Sequence, residues 1–190
     1  VLNSNQKIIV LDRDGVINQD SDAYIKHPDE WHPEPGSIEA IVKLKQAGWL
    51  VAIATNQSGI KRGYYDRYTL SLMHQKLQKL LMAAGGEAAK VDWINYSPYL
   101  ADDNSVCRKP LPGMLQAIEN RFGGSLQGFP MVGDTLHDVA VAQLKGMVPL
   151  FVKTGKGAGI LAKQDAKTQA VLAGVAVYDN LLAAVEDILS

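Results

Sequence analysis

Six short apolar runs, each the length of a strand, alternate along the chain with stretches of helical spacing, and this alternation restricts the fold more than any other feature. The runs are residues 8–11, 50–54, 91–96, 129–132, 148–152 and 175–178. Between the first two, Pro35-Gly36-Ser37 introduces Ile38, Ile41, Val42 and Leu44 at helical spacing, and Gly48 ends the pattern. From Asp66 onward, Leu70, Met73, Leu77, Leu80 and Leu81 repeat it and stop at Gly85-Gly86. Residues 112–122 open on Pro and close on Gly123-Gly124, and 136–145 and 181–189 read as further helices. A crossover between parallel strands is right-handed, so repeated units of this kind build a parallel sheet with helices on both faces. The expected architecture is an α/β, Rossmann-like three-layer sandwich with a mainly parallel sheet, in one domain spanning 1–190. The polar stretch 18–35 reads as a long loop, the tract 154–159 is too rich in glycine for an element, and nothing after Val152 carries recognisable chemistry.

In such a sheet, ligands bind at the carboxyl ends of the strands, so the residues that follow each apolar run matter most. Asp12 and Asp14 directly follow the first run and precede Gly15, as a nucleophile and its proton partner would. Two anions this close are tolerable if a divalent cation takes an oxygen from each or if one holds a proton. Asp-x-Asp-Gly is also ordinary turn chemistry. A calcium loop would need further oxygen ligands and a Glu at its twelfth position, where this chain has Ala23. After the second run come Thr55-Asn56-Gln57-Ser58-Gly59, which can cradle phosphoryl oxygens but are equally the letters of a helix start or a turn. Arg108-Lys109 stands before Pro110 and a Pro-initiated helix, where Lys109 could neutralise a phosphate; adjacent cations are otherwise a solvated pair. The fourth run enters Gly133-Asp134-Thr135-Leu136-His137-Asp138, which offers Asp134 as a further metal oxygen or as a helix cap.

Composition narrows the classes. A chain of 190 residues with 47% hydrophobic and 21% charged residues suits a globular domain, and a net charge of -1 gives no footprint for nucleic acid. The single cysteine, Cys107, rules out an internal disulfide and fits a reducing compartment, so the cytoplasm is expected. No stretch reaches the roughly 20 apolar residues of a membrane span, and the first residues lack the basic region and apolar run of a secretory signal. A monomer without membrane or nucleic-acid partners is the default expectation.

Taken together, Leu11-Asp12-Arg13-Asp14-Gly15-Val16-Ile17-Asn18, the 55–59 run, Arg108-Lys109-Pro110 and Val132-Gly133-Asp134 with Asp138 resemble the motifs of the haloacid dehalogenase superfamily of phosphatases. The likeness runs through about Val152 and is strongest to the branch that contains heptose 1,7-bisphosphate phosphatase and histidinol-phosphatase. It implies a haloacid dehalogenase-like fold without a large cap domain. Asp12 would be the nucleophile that forms an aspartyl-phosphate, Asp14 the acid and then the base, and Thr55 and Lys109 the phosphoryl-binding groups. Magnesium would be held by Asp12, the Asp14 carbonyl and Asp134, with Asp138 orienting Lys109 or a metal-bound water. Substrate contacts would come from Asn18, Asp20, Asp22, Tyr24, Asn56, Gln57, Ser58, Gly59 and Arg108, with Asp20 and Asp22 competing for one family position. Arg108 would suit a second phosphate, because its planar fork binds phosphate bidentately. The substrate implied is a small sugar phosphate, first the C7 phosphate of heptose 1,7-bisphosphate in the pathway to lipopolysaccharide core heptose. Histidinol phosphate or another small-molecule phosphate is the alternative, and a non-catalytic phosphate-binding protein is the alternative of a different class.

One departure concerns zinc. Many members of the family that the chain resembles carry a Cys/His loop before the Arg-Lys-Pro motif, but residues 96–107 retain only Cys107. One thiol without a nearby histidine cannot close a tetrahedral site, so zinc is expected to be absent and the loop to be held by packing of Tyr96 and Tyr99.

Overall fold

The computed structural model describes residues 6–190. Its strands are β1 (Ile8–Leu11), β2 (Leu50–Asn56), β3 (Trp93–Ser97), β4 (Pro130–Gly133), β5 (Val148–Val152) and β6 (Ala176–Tyr178). The helices are α1 (Ser37–Gln46), α2 (Arg67–Gly85), α3 (Gly113–Phe122), α4 (Leu136–Leu144), α5 (Gly157–Lys163), α6 (Ala166–Leu172) and α7 (Leu181–Leu189). The strands form one sheet in the order β3-β2-β1-β4-β5-β6, parallel throughout rather than mainly so.

Alternation along the strands divides the core. Ile9, Leu11, Val51 and Ile53 join the side chains of α1, α2 and α7 on one face. Ile8, Val10, Ala52 and Ala54 meet α3 and α4 on the other. All four residues of β1 are buried, which is why its sequence is a continuous apolar run rather than an alternating one. Each such side chain contributes about 1.5–3 kcal/mol on burial.

Local chemistry sets the helix limits. Gly36 and Gly48, both near φ 80°, bracket α1, and Asp66 caps α2 by accepting from the Thr69 N–H at 2.7 Å. β2 runs to Asn56, two residues past its expected end, so Thr55 and Asn56 are strand residues and not part of a loop. The stretch 18–35 is a loop, as expected, but a pinned one. Its Trp31 is fully buried in the core, and Lys76 Nζ donates to the carbonyls of Pro28 and Trp31, both at 2.7 Å.

Two expectations are corrected. The glycine-rich tract 154–159 runs into α5, with Gly157 packed so closely on the Val152 carbonyl that no side chain would fit there. Its glycine serves close packing rather than breaking a helix. Tyr99 is 37% exposed and does not anchor its loop by packing; instead its carbonyl accepts from Arg108 Nη1 at 2.9 Å.

The chain leaves β1 toward β2 and β3 and later returns on the other side of β1 with β4. β1 and β4 are therefore neighbours whose connections diverge, and the crevice beyond their carboxyl ends is where this topology places a ligand.

Candidate active site

Asp12 follows β1 and Asp134 follows β4, so the switch point puts the two carboxylates side by side. The Asp12 N–H donates to the Val132 carbonyl at 2.9 Å, which extends the sheet one residue and fixes where the side chain emerges. Asp12 Oδ1 accepts from the Arg13 N–H at 2.7 Å and lies 3.0 Å from Lys109 Nζ. That ammonium is buried and also reaches Asp138 Oδ1 at 2.6 Å and the Ala54 carbonyl at 2.7 Å. Three acceptors use all three of its protons.

Asp138 is engaged on both oxygens. Its Oδ2 accepts from Thr135 N at 3.1 Å and Thr135 Oγ at 2.6 Å, which closes a capping box at the start of α4. Asp134 is not: Oδ2 accepts from the Lys156 N–H at 2.8 Å, while Oδ1 is buried with no partner. One oxygen from each of Asp12, Asp134 and Asp138 lies within 4.8 Å of the others. Burial, the charge of Asp138 and the nearby Asp14 raise the Asp12 pKa against the pull of Lys109, and burial together with Asp12 and Asp138 raises that of Asp134. Burial would depress Lys109, but Asp12 and Asp138 outweigh it and hold the ammonium charged. Three carboxylates face one ammonium in a water-poor spot. The unpartnered Asp134 oxygen and the all-oxygen donor set fit a hard divalent cation such as magnesium.

Asp14 is held differently. Its Oδ1 accepts from Arg13 Nη2 at 2.7 Å and Asn18 Nδ2 at 2.9 Å, and its Oδ2 from Gln57 Nε2 at 2.7 Å. Burial alone would raise its pKa, but the Arg13 charge and the bonds from Asn18, Arg13 and Gln57 overcome it and hold the carboxyl below the usual range. The same Gln57 nitrogen donates to Thr55 Oγ at 2.9 Å, and the Tyr65 hydroxyl donates to Gln57 Oε1 at 2.6 Å. Asn56 pairs with the backbone of Lys109 in both directions, at 3.1 and 3.2 Å, and so ties β2 to the loop before α3.

A cavity of about 280 Å³ opens over these groups, with Asp12, Asp14, Thr55, Lys109 and Asp134 at its base. Asp20, Asp22, Tyr24, Asn56, Gln57, Ser58 and Arg108 also line it. Asp20 is paired with Lys156 Nζ at 3.0 Å, whereas Asp22 is exposed on the cavity wall. Two expected substrate contacts lie elsewhere. Asn18 is buried behind Asp14 and supports it, and Gly59 lies under the Tyr65 ring, where a side chain would collide. Both sit near the site in sequence, but only one of every few residues of a turning loop faces the ligand.

Sequence reasoning missed Arg13, Tyr65 and Lys156. Arg13 lay in plain view between the two aspartates. Lys156 had no local signal, because it reaches the rim only through the turn after β5, whose Thr154 Oγ donates to the Gly15 carbonyl at 2.6 Å.

Comparison with known proteins agrees with this geometry. Residues 7–136 match the polynucleotide kinase 3 phosphatase family model, and residues 106–184 match a haloacid dehalogenase hydrolase-like model. The chain is 48% identical over 185 residues to the D-glycero-beta-D-manno-heptose-1,7-bisphosphate 7-phosphatase of Pseudomonas aeruginosa, covering 97% of this chain and 99% of that protein. It is 47% identical over 183 residues to the enzyme of the same name from Pseudomonas putida, covering 96% and 99%. Among solved structures, the D,D-heptose 1,7-bisphosphate phosphatase of B. bronchiseptica complexed with magnesium and phosphate superposes with a TM-score of 0.89. It is 46% identical, and the match covers 97% of this chain and 98% of that one. Identity at this level along nearly the full length settles the family: the chain belongs to the haloacid dehalogenase superfamily, among its phosphatases.

Proposed function

We propose that the protein is a magnesium-dependent phosphomonoesterase that removes the C7 phosphate of D-glycero-D-manno-heptose 1,7-bisphosphate through an aspartyl-phosphate. The observation that carries this reading is the pairing of Asp12 with buried Lys109 beside Asp134, whose Oδ1 has no partner. Asp12 attacks phosphorus, and splitting hydrolysis into two displacements replaces one difficult step with two easier ones. Thr55 and Lys109 receive the phosphoryl oxygens, and the fixed ammonium meets charge as it develops. Asp14 protonates the leaving oxygen and then takes a proton from the attacking water. In the free protein Asp14 is held ionised, and an incoming phosphate dianion raises its proton affinity by like-charge proximity.

Asp12, Asp134 and the main-chain carbonyl of Asp14 would hold magnesium, which when bound polarises the phosphoryl group and offsets its charge. Asp138 keeps Lys109 in place instead, since both its oxygens are taken by protein donors. Arg108, half-buried at the cavity wall, suits the phosphate that is not transferred. Asp20, Asp22, Tyr24 and Ser58 would face the sugar. Zinc has no place in this reading, because Cys107 is the chain's one thiol. A monomer is the default reading, and the lone cysteine suits the cytoplasm; no helix of the described residues is long and apolar enough to cross a membrane.

Phosphate release is the direct assay. Turnover that needs magnesium, disappears in Asp12→Asn and favours heptose bisphosphate over histidinol phosphate supports the reading. Equal and poor rates on both would sink the substrate assignment, and binding without turnover on any phosphate would leave a phosphate-binding protein.

A further inference from the structure

Arg13 stands between the two aspartates in sequence, yet its side chain turns away from solvent and is 1% exposed. A buried guanidinium is costly unless it is paired and hydrogen-bonded. Among the described residues its one carboxylate partner is Asp14, whose Oδ1 it grips with Nη2 at 2.7 Å and Nε at 3.2 Å. Its far nitrogen, Nη1, lies 3.4 Å from His74 Nε2 and 4.0 Å from Met73 Sδ, so α2 backs the guanidinium from behind.

The effect on Asp14 is asymmetric. Oδ1 accepts from Arg13 Nε, Arg13 Nη2 and Asn18 Nδ2, which exhausts it. Oδ2 accepts only from Gln57 Nε2, whose amide is oriented by the Tyr65 hydroxyl on Oε1. One oxygen is locked and the other keeps a free lone pair.

We infer that Arg13 is a positioning residue for proton transfer: backed by His74, it immobilises Asp14 Oδ1 so that Oδ2 handles the proton. The inference rests on the proposed role of Asp14 as acid and base. In the first displacement the bond from Asp12 to phosphorus forms as the ester P–O bond breaks, and the proton on Asp14 Oδ2 passes to the leaving oxygen. In the second, water adds to phosphorus, its proton goes to Oδ2, and the bond to Asp12 breaks.

Leaving groups separate this role from a merely structural one. A sugar alkoxide is strongly basic and needs the proton; a nitrophenolate is not and leaves without it. In single-turnover measurements, Arg13→Met should slow release from an alkyl phosphate by about 100-fold, with KM nearly unchanged, and release from 4-nitrophenyl phosphate by less than about 3-fold. Arg13→Lys, which keeps the charge without the fork, and His74→Gln should show the same discrimination at smaller size. Circular dichroism checks the fold, and if Arg13→Met does not fold these two variants carry the test. Asp14→Asn is run alongside. If it discriminates between the substrates while the Arg13 and His74 variants lose both activities equally or neither, the inference is overturned. If Asp14→Asn itself fails to discriminate, the role of Asp14 is wrong and the inference falls with it.

Discussion

The ammonium of Lys109 lies 2.6 Å from Asp138 Oδ1, and each side chain is at most 3% exposed. Without Asp138 the buried ammonium keeps Asp12 at 3.0 Å but loses a charged hydrogen bond, and the Thr135 cap goes with it. Asp138→Ala should therefore lower unfolding stability by about 1.5–3 kcal/mol and also reduce turnover, because Lys109 loses the contact that aims it. Urea unfolding and phosphate release on the same preparation check both. A large loss of rate with unchanged stability would contradict the pairing.

Asp134 should show the opposite sign of stability without the ion. It adds a third carboxylate beside Asp12 and Asp138, and burial and those two charges raise its pKa. In chelator, Asp134→Asn should be more stable than the natural protein by about 1 kcal/mol or more, because a buried carboxyl pushed up to about 8 is costly to ionise. In magnesium the order should reverse, because only the natural protein gains stability by binding. Melting temperatures of both proteins, with chelator and with magnesium, decide it.

Gly15 carries φ +81°, and a Cβ there would fall on the Asp134 carboxylate and against the Gly155 backbone. Gly15→Ala meets both a strained backbone and a collision. A loss of about 1–3 kcal/mol from the backbone alone is expected, with activity gone even where the variant still folds. Thermal unfolding and turnover read the two effects separately.

His74 predicts a pH dependence. Burial, with help from the Arg13 charge, pushes its pKa from 6.5 down to about 3. Above pH 6.5 it is neutral in both folded and unfolded chains and contributes nothing. As pH falls from 6.5 toward 3, the unfolded chain binds a proton that the folded one refuses, so stability declines. At pH 5 the loss should be about 1–2 kcal/mol, after allowance for the ring's partial exposure. His74→Gln should flatten the difference in urea midpoint between pH 7.5 and pH 5; an unchanged difference would place the loss elsewhere.

The parts of the site that could be read from the chain are those fixed by strand ends. Asp12, Thr55 and Asp134 follow apolar runs, and a parallel sheet brings such positions to one edge whatever the loops do. Lys109 was legible because a proline-bounded turn delivers it. What escaped depends on distance in sequence. Lys156 meets Asp20 and Asp134 only because β5 borders β4, and Tyr65 reaches Gln57 only through the turn before α2. The resemblance offers Asn18 and Gly59 as substrate contacts, but a matched motif says nothing of which way a side chain points. In the fold, α5 was hidden because its glycines signal looseness locally, whereas Gly157 is there for close packing.

The adjacency of β1 and β4 also bears on the order in which the protein comes to life. The halves of the metal-facing carboxylate set are separated by more than a hundred residues of chain, and the strand that delivers Asp134 is the fourth to be synthesised. Until it docks, β1 is an apolar edge, and the Asp12 carboxylate has no Asp134 beside it. Closing that seam hides the edge and brings the two carboxylates together in one event, so on the proposed mechanism a chain without β4 would have no activity.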